Sequence, residues 1–142
     1  MSYVVKKATA GCGLFAEVTF NRNDKIIQYM GNEVSFETVK PHAKYLMHLD
    51  EKTVIDGKCH TNKARYINHS CKPNAQAYIC DREVFIYAKR RIFPGEEITI
   101  SYGKEYWDEH ILPKGCRCSF CADRSHDCVD GGNGAPMFAS KV

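Results

Sequence analysis

The feature that most constrains this chain is a ten-residue run in its middle, Arg65-Tyr66-Ile67-Asn68-His69-Ser70-Cys71-Lys72-Pro73-Asn74. An amide, an imidazole and a thiol stand within four consecutive positions, 68 to 71. Pro73 fixes its own φ and keeps Lys72 out of the helical region, so the run is predicted to leave a short helix as an extended turn. Polar groups packed this densely beside apolar segments usually serve a ligand or a metal rather than a core.

Short apolar runs separated by turn residues fill most of the chain, and they predict a mainly β fold of several small sheets. The predicted strands are residues 3–5, 25–30, 45–49, 53–55, 76–79, 84–88 and 97–102. Short helices are predicted over residues 35–44, with Ser35 as N-cap and Pro41 limiting the helix, and over residues 61–68. A further helical turn is predicted over residues 107–112.

Length and composition indicate one intracellular domain. A chain of 142 residues can bury one hydrophobic core, and its net charge of +3 is too small to predict nucleic-acid binding. No stretch reaches the ~20 apolar residues of a membrane span, and no signal peptide is evident. In a reducing compartment the eight cysteines are expected to be free thiols and metal ligands rather than disulfides.

Alternation along the strand at 97–102 places Ile98, Ile100 and Tyr102 on one face, which is predicted to be buried. Tyr102 is then either a core tyrosine or a phenol presented at the end of an apolar wall. The same alternation puts Tyr45 on a face with Met47 and Leu49. Two phenols that reached a common channel would suit a cationic amine, through their ring faces and their oxygens.

Two glycines flank Cys12 in Gly11-Cys12-Gly13. They permit close approach of a ligand to the backbone, but a plain turn between strands explains a single G-x-G as well. His69 has three open roles: a zinc ligand, a general base or a buried structural histidine. No partner for a hydrolytic triad lies near it in sequence.

Cys116, Cys118 and Cys121 lie within six residues, which is typical of a zinc-binding loop. Zinc requires a fourth ligand, and Cys128 and the distant Cys71 both remain candidates. The remaining cysteines, Cys12, Cys59 and Cys80, are predicted to be small core residues.

Taken in order, these motifs resemble those of SET-domain protein lysine methyltransferases, over roughly residues 4 to 121. The resemblance rests on Gly11-Cys12-Gly13 with Phe15-Ala16, Tyr29-Met30-Gly31-Asn32-Glu33, Tyr45 in Tyr-Leu-Met-His-Leu-Asp, the run from 65 to 74, and Glu96-Glu97-Ile98-Thr99-Ile100-Ser101-Tyr102. It implies a β-clip-like fold with a pseudoknot, in which the Asn68-His69 segment lies beside the Tyr102 segment. It also implies a SET domain over residues 1–112, a zinc-binding post-SET segment over 113–128 and a flexible tail over 129–142.

The resemblance implies S-adenosylmethionine and zinc as cofactors. The implied cofactor-binding residues are Gly11, Cys12, Gly13, Phe15, Arg65, Asn68, His69, Tyr102 and Phe120. The implied zinc ligands are Cys71, Cys116, Cys118 and Cys121. The implied catalytic residues are Tyr102 and Tyr45, and the lysine channel is expected to be lined by Tyr45, Ile100, Tyr78, Tyr106 and Trp107.

The implied activity is methyl transfer to a lysine of a protein, with a histone tail as the expected substrate and nuclear chromatin as the expected location in a eukaryote. A non-histone substrate and a catalytically silent SET-like binding module are the alternatives. Because isoleucine at position 100 is smaller than phenylalanine, we expect room for dimethyl-lysine or trimethyl-lysine products. No direct recognition of nucleic acid and no membrane association are expected, and the sequence leaves the oligomeric state open.

Overall fold

The computed structural model describes residues 2–9, 11–39 and 44–101, together with the backbone of residues 140–141. Eleven strands form three small sheets in this part of the chain. They are β1 (Tyr3–Ala8), β2 (Gly11–Ala16), β3 (Lys25–Tyr29), β4 (Asn32–Ser35), β5 (Leu46–His48), β6 (Thr53–Asp56), β7 (Asn68–His69), β8 (Ala75–Cys80), β9 (Glu83–Ala88), β10 (Glu97–Ile100) and β11 (Ser140–Lys141). The mainly β prediction is confirmed.

The sheet that carries the candidate site has the strand order β1-β2-β10-β7. In it β2 lies antiparallel to both β1 and β10, whereas β7 and β10 are parallel. The second sheet has the order β11-β8-β9-β3, and the third has the order β4-β6-β5. A buried apolar core joins the sheets, and its fully buried members include Leu14, Met47, Val84, Ile86, Ile92 and Ile98.

Over the described residues of the ranges 35–44 and 61–68, which leave out 40–43, the two predicted helices are wrong in kind and in length. Single 3-10 turns lie there instead, Phe36–Thr38 and Lys63–Tyr66. Ser35 is the N-cap residue of the first turn, but its side chain makes no capping bond, and Val39 is already extended. Asn62 at the start of the second turn uses its side chain elsewhere, on the Met30 N–H and the Gly57 carbonyl. The turn predicted over residues 107–112 lies outside the described residues.

The G-x-G segment forms a strand, although the sequence favoured a turn. Gly11 has a φ of 96° and pairs with Ala8, so this glycine allows the chain to reverse between β1 and β2. Tyr45 also departs from prediction. Its φ is 64°, so it lies just before β5 instead of inside the strand.

Ser140–Lys141 pairs in parallel with Tyr78 and Ile79 of β8, within the segment predicted as a flexible tail. The domain boundaries themselves stay predictions. No helix in the part of the chain that the structure describes is long and apolar enough to span a membrane.

Candidate active site

Three segments that are far apart in sequence meet at the β2-β10-β7 side of the first sheet. The parallel pairing aligns Asn68 with Thr99 and His69 with Ile100, and the Ser70 N–H donates to the Ile100 carbonyl at 3.0 Å. On the other edge of β10, Ile98 pairs with Leu14 of β2. The expectation that the Asn68-His69 segment lies beside the strand leading to Tyr102 is therefore met up to Ser101, the last described residue before it.

The Asn68 side chain ties this junction together. Its Nδ2 donates to the Cys12 carbonyl oxygen at 2.8 Å and to Glu97 Oε2 at 2.9 Å. Both acceptors demand an N–H donor, so the orientation of the carboxamide is fixed. Its Oδ1 then remains as an acceptor, and no described residue donates a hydrogen bond to it.

Glu97 is a member of this site that the sequence analysis did not single out. Its carboxylate is half-buried, and the burial raises the pKa of Glu97 although the bond from Asn68 opposes the rise. A Cβ on Gly13 would lie 2.6 Å from Glu97 Oε2, so the carboxylate occupies the space that this glycine leaves. The available signal was an acidic residue inside an otherwise apolar strand.

His69 is buried beside the predicted zinc ligand Cys71. Burial lowers the pKa of His69 to about 4, so the imidazole is neutral at pH 7. Its Nε2 lies 3.4 Å from the Cys71 sulfur, and Cys71 is half-buried. A neutral imidazole next to a thiol suits a structural or metal-adjacent role better than that of a charged acid.

Arg65 packs against tyrosine rings. Its guanidinium carbon lies 4.3 Å from the centroid of the Tyr45 ring and 5.2 Å from that of Tyr66. Its Nη1 is 2.6 Å from His60 Nδ1 and 3.4 Å from the Tyr66 hydroxyl. Arg65 was predicted to bind the cofactor. That role stays a prediction, and the observed contacts instead hold the ring of Tyr45 in place.

Three predicted channel residues are described, and the structure shows what each contacts. The Tyr45 carbonyl accepts a hydrogen bond from the Gly57 N–H at 2.8 Å. Ile100 is buried, as its strand pattern predicted, but the intervening Thr99 is buried as well, so both faces of β10 are covered. Tyr78 packs edge to face against Tyr87, with 5.6 Å between the ring centroids. Their convergence on one channel stays a prediction.

Several predicted site residues lie outside the described residues. They are Tyr102, Tyr106, Trp107, Phe120, Cys116, Cys118 and Cys121, together with the alternative ligand Cys128. Within the ranges that the structure describes, no group of three or more possible metal ligands comes together. The zinc site therefore stays a prediction.

The burial of three other cysteines was predicted wrongly. Cys12, Cys59 and Cys80 are exposed free thiols rather than core residues. Cys12 lies near the turn between β1 and β2, and Cys80 is the last residue of β8. Both thiols are therefore exposed near the ends of their strands, whereas apolar residues further along the same strands are buried. Phe15, predicted to bind the cofactor, is half-buried, and the Lys6 ammonium lies 4.6 Å from its ring centroid.

The described residues fit a ligand that carries positive charge and hydrogen-bond donors. Asn68 Oδ1 is an open acceptor, and the Glu97 carboxylate lies next to the Asn68 amide. Apart from the chain neighbours of Gly11, no atom of the described residues lies within 4 Å of the position that a Cβ on Gly11 would take. S-adenosylmethionine has such groups at its methionine end, which bears a sulfonium and an ammonium.

Comparison with known proteins identifies the family pattern. The SET domain model matches residues 11–103. The chain is 35% identical to the histone-lysine N-methyltransferase trr of Drosophila melanogaster in an alignment 133 positions long that covers 84% of this chain. It is 39% identical to the histone-lysine N-methyltransferase set1 of Dictyostelium discoideum in an alignment 104 positions long that covers 63% of this chain.

A third relative has a more specific name. The chain is 36% identical to the "Histone-lysine N-methyltransferase, H3 lysine-4 specific" of Schizosaccharomyces pombe in an alignment 104 positions long that covers 63% of this chain. The aligned parts make up 6%, 7% and 11% of these three relatives, in the order given. The chain thus matches a small part of much longer proteins.

Proposed function

Because this chain belongs to the SET domain family, we propose that it transfers a methyl group from S-adenosylmethionine to a lysine side chain of a protein. The observation that carries the proposal is the bond from Asn68 to the Cys12 carbonyl, together with the parallel pairing of β7 and β10. These contacts gather the G-x-G segment, the Asn68-His69 pair and the strand that leads to Tyr102.

The cofactor is proposed to bind at this junction, against Gly11, Cys12, Gly13, Asn68 and His69. When bound, it supplies an activated methyl group on a sulfonium. The neutral, buried His69 contributes shape and backbone groups there without adding a competing positive charge. Arg65, Phe15, Tyr102 and Phe120 complete the proposed cofactor set.

The protein's own part in the reaction is alignment. Tyr102 and Tyr45 are proposed to orient the lysine amine with their hydroxyl groups and ring faces. The amine is then in line with the methyl group that it receives. The Arg65 guanidinium packs against the Tyr45 ring, which limits the movement of that ring. Fixed dipoles of this kind favour the positive charge that develops on the amine without a strong base.

A histone tail is the proposed substrate, and lysine 4 of histone H3 is the favoured position. The support is the name of the relative from Schizosaccharomyces pombe, which specifies lysine 4 of H3. Nuclear chromatin is the location that such a substrate requires.

The function is tested by incubating the protein with labelled S-adenosylmethionine and a peptide of the H3 tail. We expect label on this peptide and none on a control peptide with arginine in place of lysine 4. Mass spectrometry of the completed reaction is expected to show dimethyl-lysine or trimethyl-lysine, because Ile100 leaves more room than an aromatic residue. Cofactor binding without transfer to this peptide or to mixed histones would contradict the enzyme assignment and favour the silent module.

A structural zinc held by Cys71, Cys116, Cys118 and Cys121 is also proposed. The donor set supports it: Cys71 is a half-buried thiol, and thiolates are preferred zinc ligands. We expect about one equivalent of zinc in chelator-free protein, measured by atomic absorption. Cys71→Ser should lower that content, whereas Cys80→Ser should not, since Cys80 is exposed and outside the proposed set. Full zinc content in Cys71→Ser would assign the fourth position to Cys128.

A further inference from the structure

The Glu97 carboxylate is a negative charge near the candidate site, and the proposed function assigns it no role. It is half-buried where β2, β7 and β10 meet, and burial of a carboxylate without a cation is unfavourable. Among the described residues no lysine, arginine or histidine forms an ion pair with it. The cation facing the same side of β1 and β2 is Lys6, and its ammonium lies over the Phe15 ring instead.

The hydrogen bond that Glu97 accepts from Asn68 determines which atom of the Asn68 carboxamide is open to a ligand. Because Asn68 Nδ2 donates to Glu97 and to the Cys12 carbonyl, the amide cannot rotate without losing both bonds. The carboxamide therefore presents an oxygen rather than a nitrogen at its open side. A carboxylate and an open carbonyl-type acceptor side by side make this corner of the site negative.

We propose that Glu97 is a positioning residue that fixes Asn68 with its oxygen as the open acceptor and supplies a negative charge for the cationic end of the ligand. The inference rests on the proposed function, in which that cationic end is the sulfonium and ammonium of S-adenosylmethionine. Glu97 acts through Asn68 and through its charge, without contact to the reacting atoms.

The same arrangement gives Gly13 a role different from the predicted one. The sequence suggested that Gly13 lets a ligand approach the backbone. In the structure the space beside it is taken by Glu97 Oε2, 2.6 Å from where a Cβ would be. Gly13 therefore makes room for the carboxylate, and Gly13→Ala should displace Glu97 and weaken ligand binding in the same way as loss of the charge.

Acidification should remove this charge. Because burial raises the pKa of Glu97, the carboxylate becomes protonated at a higher pH than an ordinary glutamate, and affinity for a cation falls as pH is lowered through that value. The other titratable groups on the described elements packed around it are Tyr3, Lys6 and Lys7 of β1, Cys12 of β2, His69 of β7, and Tyr78 and Cys80 of β8. Burial lowers the pKa of His69 to about 4, which separates it from Glu97.

The test compares two ligands on the full chain and on Glu97→Gln by calorimetry. Glutamine can still accept the bond from Asn68, so the variant removes the charge and keeps the geometry. We expect affinity for S-adenosylmethionine to fall about tenfold, as for loss of one favourable charge interaction. Affinity for 5′-methylthioadenosine, which lacks the charged end, should change by less than about twofold.

Equal losses for both ligands, or no loss for either, would overturn the assignment. If Glu97→Gln does not fold, the pH dependence of the natural protein decides. Affinity for S-adenosylmethionine must fall on acidification at a pH above that at which an ordinary glutamate titrates, while affinity for 5′-methylthioadenosine stays level. Failure of the natural protein to bind S-adenosylmethionine at all would instead refute the proposed function.

Discussion

Replacing Tyr102 by phenylalanine is expected to lower the rate of methyl transfer by about a hundredfold to a thousandfold, the usual effect of removing one preorganised polar group from a reaction centre. Only the hydroxyl is lost, and its proposed role is to orient the amine and stabilise developing charge. The change should therefore appear in kcat more than in the affinity for the cofactor. Rate measurements on the H3 peptide, with calorimetry of cofactor binding, check it.

Tyr87→Phe is the matched control, because Tyr87 lies in β9 of the second sheet and is not among the proposed site residues. It removes a hydroxyl from a ring that packs against Tyr78, and its rate should stay within about threefold of the natural protein. An unchanged rate in Tyr102→Phe would indicate that Tyr102 is a core tyrosine. The proposed mechanism would then lack its central group.

Asn74→Ala is expected to destabilise the fold by about 3 kcal/mol, since it leaves buried backbone groups of β10 without partners. Asn74 is buried, its Nδ2 donates to the Glu97 carbonyl at 2.7 Å, and its Oδ1 accepts from the Thr99 N–H at 2.9 Å. Its own N–H donates to Thr99 Oγ1 at 3.3 Å. Urea unfolding measures the loss.

Two variants separate these bonds. Asn74→Asp keeps an acceptor for the Thr99 N–H but loses the donor to the Glu97 carbonyl, and it should also be destabilised because a carboxylate then faces that oxygen. Asn32→Ala removes an exposed asparagine and should change the free energy of unfolding by less than about 0.5 kcal/mol. A stability of Asn74→Ala equal to that of Asn32→Ala would contradict the structural role.

Asn74 also shows how far a motif can be read without coordinates. In the sequence it closes the ten-residue run and signals a turn after Pro73. In the structure Asn74 lies in the segment between β7 and β8, and its side chain forms hydrogen bonds with the backbone of β10. The side chain thereby makes contacts that a neighbouring strand would otherwise make. It thus fixes the strand on which the site depends, and nothing in its spacing from β10 indicates this.

The sequence predicted the strands well wherever burial alternates or runs continuously, as in β8, β9 and β10. The prediction failed for short segments whose secondary structure is determined by the strands with which they pair. Asn68 was assigned to the end of a helix, yet Asn68–His69 pairs with β10. Gly11-Cys12-Gly13 was predicted as a turn because of its glycines, although Gly11–Ala16 pairs with both β1 and β10. Two-residue and glycine-rich strands have no periodicity of their own to detect.

By itself the sequence determined the family, the β-rich class and the segments that form the candidate site, because those follow from local residue types and their order. Only the tertiary structure decided which side chains meet within it. The pairing of Glu97 with Asn68 and its fit against Gly13 join residues up to 84 positions apart. Such contacts arise when strands from distant parts of the chain align in one sheet, and hydrogen-bond direction and burial then set the charge of the site.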